Sequence, residues 1–208
     1  MTYDFKKEQK ELYRPGKSPS IIDVPEMNFI AVSGKGDPNT SEEYKSAIEV
    51  LYSLSYTIKM SNKSVLEYVV PPLEGFWGGS DAVSGQGGSR KINKSKLEWT
   101  ALIRQPDFVN QGIFEAATIF LAQKKPQIDT SKASFETITE GLCVQAIHIG
   151  SFDDEPVTIA AMERYAADNG YAIDFGSGRR HHEIYLSDPR KVAPEAYKTI
   201  IRHPISRL

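Results

Sequence analysis

The sequence predicts an α+β fold built from two strand–helix–strand–strand repeats with pseudo-twofold symmetry. Three observations carry this expectation. The order strand, Gly/Asp/Pro break, helix, strand occurs twice, so that Phe29 to Pro38 aligns with Val144 to Pro156. Glu67-Tyr68-Val69-Val70 aligns with Glu183-Ile184-Tyr185-Leu186, an acid leading an apolar strand in both places. Ile103-Arg104-Gln105-Pro106 aligns with Ile201-Arg202-His203-Pro204, which sets Trp99 opposite Tyr197. One such unit has too few elements to close a core, whereas two can cover each other.

The composition is that of a globular protein. With 208 residues, 40% of them hydrophobic and 25% charged, the chain can build a proper core. A formal net charge of −2 argues against a surface made for phosphate backbones, so no direct DNA binding is expected. Cys143 is the single cysteine, which excludes an intrachain disulfide and a Cys-rich zinc site. No apolar run is long enough for a bilayer, and the N-terminus lacks the apolar core of a signal peptide. A cytoplasmic, bacterial-type protein with no membrane partner is expected, and nothing fixes its oligomeric state.

Taken in order, residues 1–20 are polar and read as an N-terminal arm, leaving 21–208 as a single domain with repeats at about 21–106 and 138–205. Ile21–Val24 and Asn28–Val32 favour strand. Thr40 and Glu43 stand at capping-box spacing before a helix from about Ser41 to Ser55. Tyr56–Met60 then leaves that helix towards the next strand. Val65–Val70 reads as a strand stopped by Pro71-Pro72. The Gly- and Ser-rich stretch 78–89 reads as a surface loop, with Trp77 packed at its base. Lys96–Arg104 alternates as a strand. A helix over about 108–124 joins the repeats, and the lysines at its end suit the helix dipole. Leu142–Ile149 is a strand, and Pro156 opens a helix that stops at Asn169-Gly170.

The stretch Arg179-Arg180-His181-His182-Glu183-Ile184-Tyr185-Leu186-Ser187-Asp188-Pro189 carries the chemistry. Strand alternation puts His182, Ile184 and Leu186 on one face and His181, Glu183 and Tyr185 on the other. The first face reads as core. The second places a carboxylate beside a phenol. The plainer alternative is a rim strand with Glu183 in water and Tyr185 in the core.

In His148-Ile149-Gly150-Ser151-Phe152-Asp153-Asp154, in His182 to Pro189 and in Tyr68 to Trp77, the sequence resembles the GyrI-like small-molecule-binding proteins. These share a fold with the effector-binding domains of multidrug-responsive regulators. The resemblance spans about 20–205 and implies two repeats around a central ligand cleft, lined by aromatic residues and reached by one acid, here Glu183. Unlike the regulators, the chain carries no helix-turn-helix unit. The resemblance leaves three functions open. One is a stand-alone binder of lipophilic or cationic aromatic compounds, protecting against drugs or toxins. The second is a hydrolase that opens the cyclopropane of DNA-alkylating cyclopropanoids. The third is a protein-interaction module of topoisomerase-inhibitor type.

Glu183 and Tyr185 are accordingly the candidate catalytic residues. An anion in an aromatic cleft attracts a flat cation, each aromatic face adding about 0.5–2 kcal/mol. The same carboxylate, desolvated, becomes a better general base towards water. Tyr56, Glu67, Tyr68, Trp77, Trp99, His148 and Phe152 are the candidate ligand-binding residues. Glu67 also reads as an exposed partner for a lysine, and His148 as a hydrogen-bonded structural histidine. His181 and Glu183 share a strand face suited to a metal, but no third ligand is forced, so neither metal nor cofactor is expected.

Overall fold

The computed structural model describes residues 2–78 and 96–208. It is a mixed α+β fold whose strands pair antiparallel, with five α-helices and seven strands among the described residues. Two compact units divide the chain. The first comprises 1–4 and 27–138, and the second comprises 5–26 and 139–208.

In the first unit β1 (Ser20–Lys35) enters from the second unit as one continuous strand through Pro25. It pairs with β3 (Glu98–Gln105), which pairs in turn with β2 (Leu73–Gly78). Helix α3 (Glu42–Ser61) and α4 (Gln111–Lys124) pack against one face of this sheet. Leu51, Leu54 and Ile58 at helical spacing meet Ile30, Trp99 and Ile103 there, all essentially buried. Gly34 faces the Trp99 indole so closely that a Cβ would collide with the ring. Helix α4, expected only to link repeats, supplies Phe114, Ala117 and Leu121 to the same core.

The second unit repeats the arrangement. Strand β4 (Ala133–Ile149) pairs with β7 (Lys198–Arg207), and β7 pairs with β6 (His181–Tyr185). Helix α5 (Glu155–Asp168) packs Met162 and Ala166 on Val144, Ala146 and Ile201. It ends at Asn169-Gly170, where Gly170 takes φ +81°, the left-handed turn that glycine permits. A short β5 (Tyr171–Ile173), not foreseen from sequence, adds to the far end of β7. The repeated order β1-α3-β2-β3 and β4-α5-β6-β7 bears out the expected strand–helix–strand–strand repeat.

Several expectations need correction. Val65–Val70 is not a strand. Val65 and Leu66 turn back onto the Asn62 carbonyl, and only Tyr68 forms an isolated bridge, with Tyr3. The counterpart of β6 begins after Pro71-Pro72, whose missing N–H groups cannot join a ladder. Ile103 pairs with Leu73 and Ile201 with Glu183, so Leu73, not Glu67, occupies the place of Glu183. Tyr56–Met60 continues α3 because Ile58 is drawn into the core. The α3 cap is Ser41, whose side chain accepts from the Tyr44 N–H at 3.2 Å, one residue beyond the expected Thr40. The expected Gly- and Ser-rich loop lies almost wholly outside the described residues.

The expected arm also differs. Helices α1 (Phe5–Glu8) and α2 (Lys10–Tyr13) belong to the second unit, with Phe5, Leu12 and Tyr13 buried. A buried polar network holds them. Arg202 donates to the Glu140 carboxylate at 2.9 Å, to Gln145 Oε1 at 3.1 Å and to the Leu12 carbonyl at 3.0 Å. Gln145 donates to the Glu11 carbonyl at 2.8 Å, and His182 Nδ1 lies 3.0 Å from the second Glu140 oxygen. Burial alone would push the Glu140 carboxyl up, but His182 and the Arg202 guanidinium outweigh it and hold it at about 2. Because that value lies below the ordinary 4.5, the contribution is complete above 4.5 and is lost as pH falls towards 2. Glu140→Gln leaves Arg202 buried without its anion and is expected to destabilise the fold by about 3–5 kcal/mol at neutral pH. Urea unfolding checks this, and the penalty should shrink in acid.

Candidate active site

Strand β6 builds the site by alternation. His182 and Ile184 are buried on one face, while His181, Glu183 and Tyr185 project from the other. On that second face the Tyr185 hydroxyl donates to Glu183 Oε2 at 2.7 Å, and His181 Nε2 lies 2.8 Å from Oε1. Behind His181, its Nδ1 meets His203 Nε2 of β7 at 2.7 Å. The side chains of His181 and Glu183 remain 12% and 13% exposed, so the cluster is not sealed from solvent.

Glu155, the first residue of α5, completes the cluster. It is buried and hydrogen-bonded to Glu183. Burial pushes its carboxyl well above the ordinary 4.5, and the neighbouring charges of Glu183 and Asp153 push the same way. That direction favours the neutral acid, the form in which Glu155 can donate to Glu183. His203 is displaced in the neutral direction too, because burial and then the proximity of His181 lower it well below 6.5. Its Nδ1 is buried with no hydrogen-bond partner among the described residues. A bare lone pair is tolerated better than an N–H without an acceptor, which assigns the His203 proton to Nε2. His203 then donates to His181 Nδ1, and His181 Nε2–H donates to Glu183. Three donors from β6 and α5 converge on one carboxylate.

Aromatic rings stand beside it. The Phe152 ring meets Tyr185 edge-on at 6.0 Å and lies 5.3 Å from the Tyr197 ring, while Phe175 packs 5.0 Å from His203. Oxygen atoms of Glu155 and Glu183 and a His181 nitrogen also lie within 4.8 Å of one another, a set chemically able to hold a cation. Within that set His181 Nε2 and Glu183 Oε1 are 2.8 Å apart, and Glu155 is hydrogen-bonded to Glu183.

A model of the GyrI-like small molecule binding domain matches residues 103–206. Among solved structures, a conserved protein from Listeria innocua is 45% identical with a TM-score of 0.90, over 99% of this chain and 100% of the other. The chain belongs to the GyrI-like small-molecule-binding family. Another solved structure from that organism, described as a hydrolase, is 44% identical with a TM-score of 0.88, again over 99% and 100% of the two chains. The EcmrR C-terminal domain shares the fold at 13% identity, with a TM-score of 0.52 over 91% and 98%. Curated proteins offer no match.

The other residues named from sequence fall in different places within this GyrI-like chain. In the second unit Phe152 is beside Tyr185, as described. His148 sits behind the start of α5, with Nδ1 2.8 Å from Thr158 Oγ1 and Nε2 2.9 Å from the Ser151 carbonyl. Both nitrogens are committed, so it braces the turn that carries Phe152 and Glu155. In the first unit Trp77 and Trp99 flank Tyr44, with centroids 6.0 Å and 4.9 Å away. Trp99 and Tyr68 are buried, each with its Nε1 or hydroxyl lacking a hydrogen-bond partner among the described residues. Tyr56 is half exposed on α3 over Lys59, and Glu67 is exposed with Lys63 3.8 Å away.

Glu155, His203 and Tyr197 were not singled out for the site by sequence. An acid in a first helical turn ordinarily faces water, and only the fold reveals that this one does not. His148→Ala is expected to destabilise the protein by about 1–3 kcal/mol by removing two partly buried hydrogen bonds. The shift of the urea midpoint measures it, and an unchanged midpoint would return His148 to a ligand role.

Proposed function

We propose that this GyrI-like protein is a hydrolase that adds water to a strained small electrophile held against Glu183, the substrate class being DNA-alkylating cyclopropanoids. The observation that supports this most is the convergence of the Tyr185 hydroxyl and His181 on the Glu183 carboxylate, beside the Phe152 ring. A carboxylate that only attracted a cation would need no such set of aimed donors. The similarity to a protein described as a hydrolase across the whole chain points the same way.

Glu183 accepts a proton from water as the water oxygen bonds to a ring carbon. The opposite C–C bond of the cyclopropane breaks, and its electron pair passes into the conjugated carbonyl. Tyr185 donates its proton to the oxygen where that charge arrives and recovers one from Glu183 along their 2.7 Å hydrogen bond. The sum is substrate plus water, with both side chains returned to their starting state. Phe152 offers the flat surface on which such a planar substrate stacks.

A second reading, sequestration without conversion, is supported by the family's small-molecule-binding character and by the same aromatic rings beside an anion. Incubation with a cyclopropane-bearing alkylating agent separates the two. Hydrolysis predicts a product heavier by one water, formed over many turnovers and detected by mass spectrometry. Glu183→Gln should reduce turnover by about 10²–10⁴-fold, the usual share of a general base, while binding persists. Its melting temperature should hold or rise, because a desolvated anion is removed. Stoichiometric binding by the wild type with no hydrated product would leave sequestration.

A further inference from the structure

The hydrolytic scheme uses Glu183, Tyr185 and Phe152 and leaves a second acid beside them unused. Glu155 is 7% exposed, and its Oε1 is buried with no hydrogen-bond partner among the described residues. If the side chain were ionised, an anionic oxygen would sit out of water with nothing to compensate it, at a cost of several kcal/mol. As the carbonyl oxygen of a neutral acid, the same atom forgoes only a weak acceptor bond. The start of a helix ordinarily favours an anion, so neutrality here runs against the local backbone field. The groups facing it explain the reversal. They are Asp153 from its own turn, Glu183 and His181 from β6, and His203 from β7 behind His181.

We propose that Glu155 is the positioning residue of Glu183: one proton held between the two carboxyls keeps Glu183 as the charged member and aims it outward. The inference deepens the hydrolase reading and rests on it for its catalytic part, but the shared proton exists without substrate. Glu155 acts through Glu183, to which it is hydrogen-bonded. Its O–H replaces the cation that would otherwise be needed to stabilise a largely covered carboxylate. It also keeps a second negative charge out of the site until the proton is lost at high pH. Two carboxyls in unequal surroundings thereby divide the roles of acid and base.

The tests use Glu155→Gln and Glu155→Leu in the full chain. An amide keeps a donor to Glu183 but cannot titrate, so Glu155→Gln should retain turnover of the cyclopropane probe within about 3-fold at neutral pH. Glu155→Leu removes the donor and should lower kcat by about 10- to 100-fold with little change in KM. Infrared spectra of the substrate-free protein provide the second readout. The wild type should show the carbonyl stretch of a protonated carboxylic acid at neutral pH, and Glu155→Gln should lack it. Absence of that band in the wild type would overturn the inference. So would a folded Glu155→Gln variant as inactive as Glu183→Gln. Titration with zinc chloride is the remaining arm, and stoichiometric micromolar binding that abolishes the band would overturn it by showing that the donors serve a cation. If the wild type shows the band but never hydrolyses the probe, the hydrolase reading fails while the shared proton stands.

Discussion

Alternation along β6 and β7 is the constraint on which the second unit depends. His182 and Arg202 are register partners and point to one face, while Glu183 and its partner Ile201 point to the other. Because side chains switch faces at every residue, two polar networks with opposite characters can occupy adjacent positions of the same two strands. The network on the His182 face joins His182 and Arg202 to Glu140 and Gln145 of β4, and it is largely buried. The odd-numbered network consists of His181, Glu183, Tyr185 and His203, and part of it reaches solvent. Sliding either strand by one residue would exchange the two and destroy both.

The networks solve the same electrostatic problem differently. Glu140 is compensated by a guanidinium, and its carboxyl falls to about 2 although little of its side chain reaches solvent. An ion pair of this kind is costly to break and inert. It pins Leu12 and Glu11, and through them the N-terminal helices, onto the second unit. On the other face, Glu183 is met by a phenol, an imidazole and the carboxyl of Glu155. Donors of that sort exchange protons at ordinary pH, whereas a guanidinium does not. One network therefore suits structure and the other suits chemistry.

How much of this was legible follows from the range of the forces involved. The face shared by His181, Glu183 and Tyr185 is a local property, and the hydrogen bonds between them follow the alternation read from sequence. The break at Gly150 to Pro156 likewise announced the start of α5. The first unit's β2 was misplaced because Val65–Val70 has far better strand propensity than Leu73-Glu74-Gly75-Phe76-Trp77-Gly78, with its two glycines. Pairing with β3 decided the matter, and no local propensity reports that. The extension of α3 through Tyr56–Met60 was settled the same way, by the burial of Ile58. Phe5, Leu12 and Tyr13 looked like scattered apolar residues in a charged segment, since their anchors Gln145 and Arg202 lie more than a hundred residues away.

Glu155 is the least legible residue and the one that most alters the meaning of the site. Read locally, it is one of three consecutive acids before Pro156, a solvated helix start favoured by the dipole. Had it remained ionised against Glu183, the site would hold two adjacent anions and would demand a dication or a lysine. With a neutral Glu155 the site holds a single negative charge already shared among three donors, which weakens its pull on a cation. Such a site favours a neutral, polarisable, flat molecule that stacks on Phe152, over a permanent cation that would have to compete with Tyr185 and His181 for the same oxygens. On the proposed reading, the charge state of Glu155 thus selects the ligand's charge through Glu183.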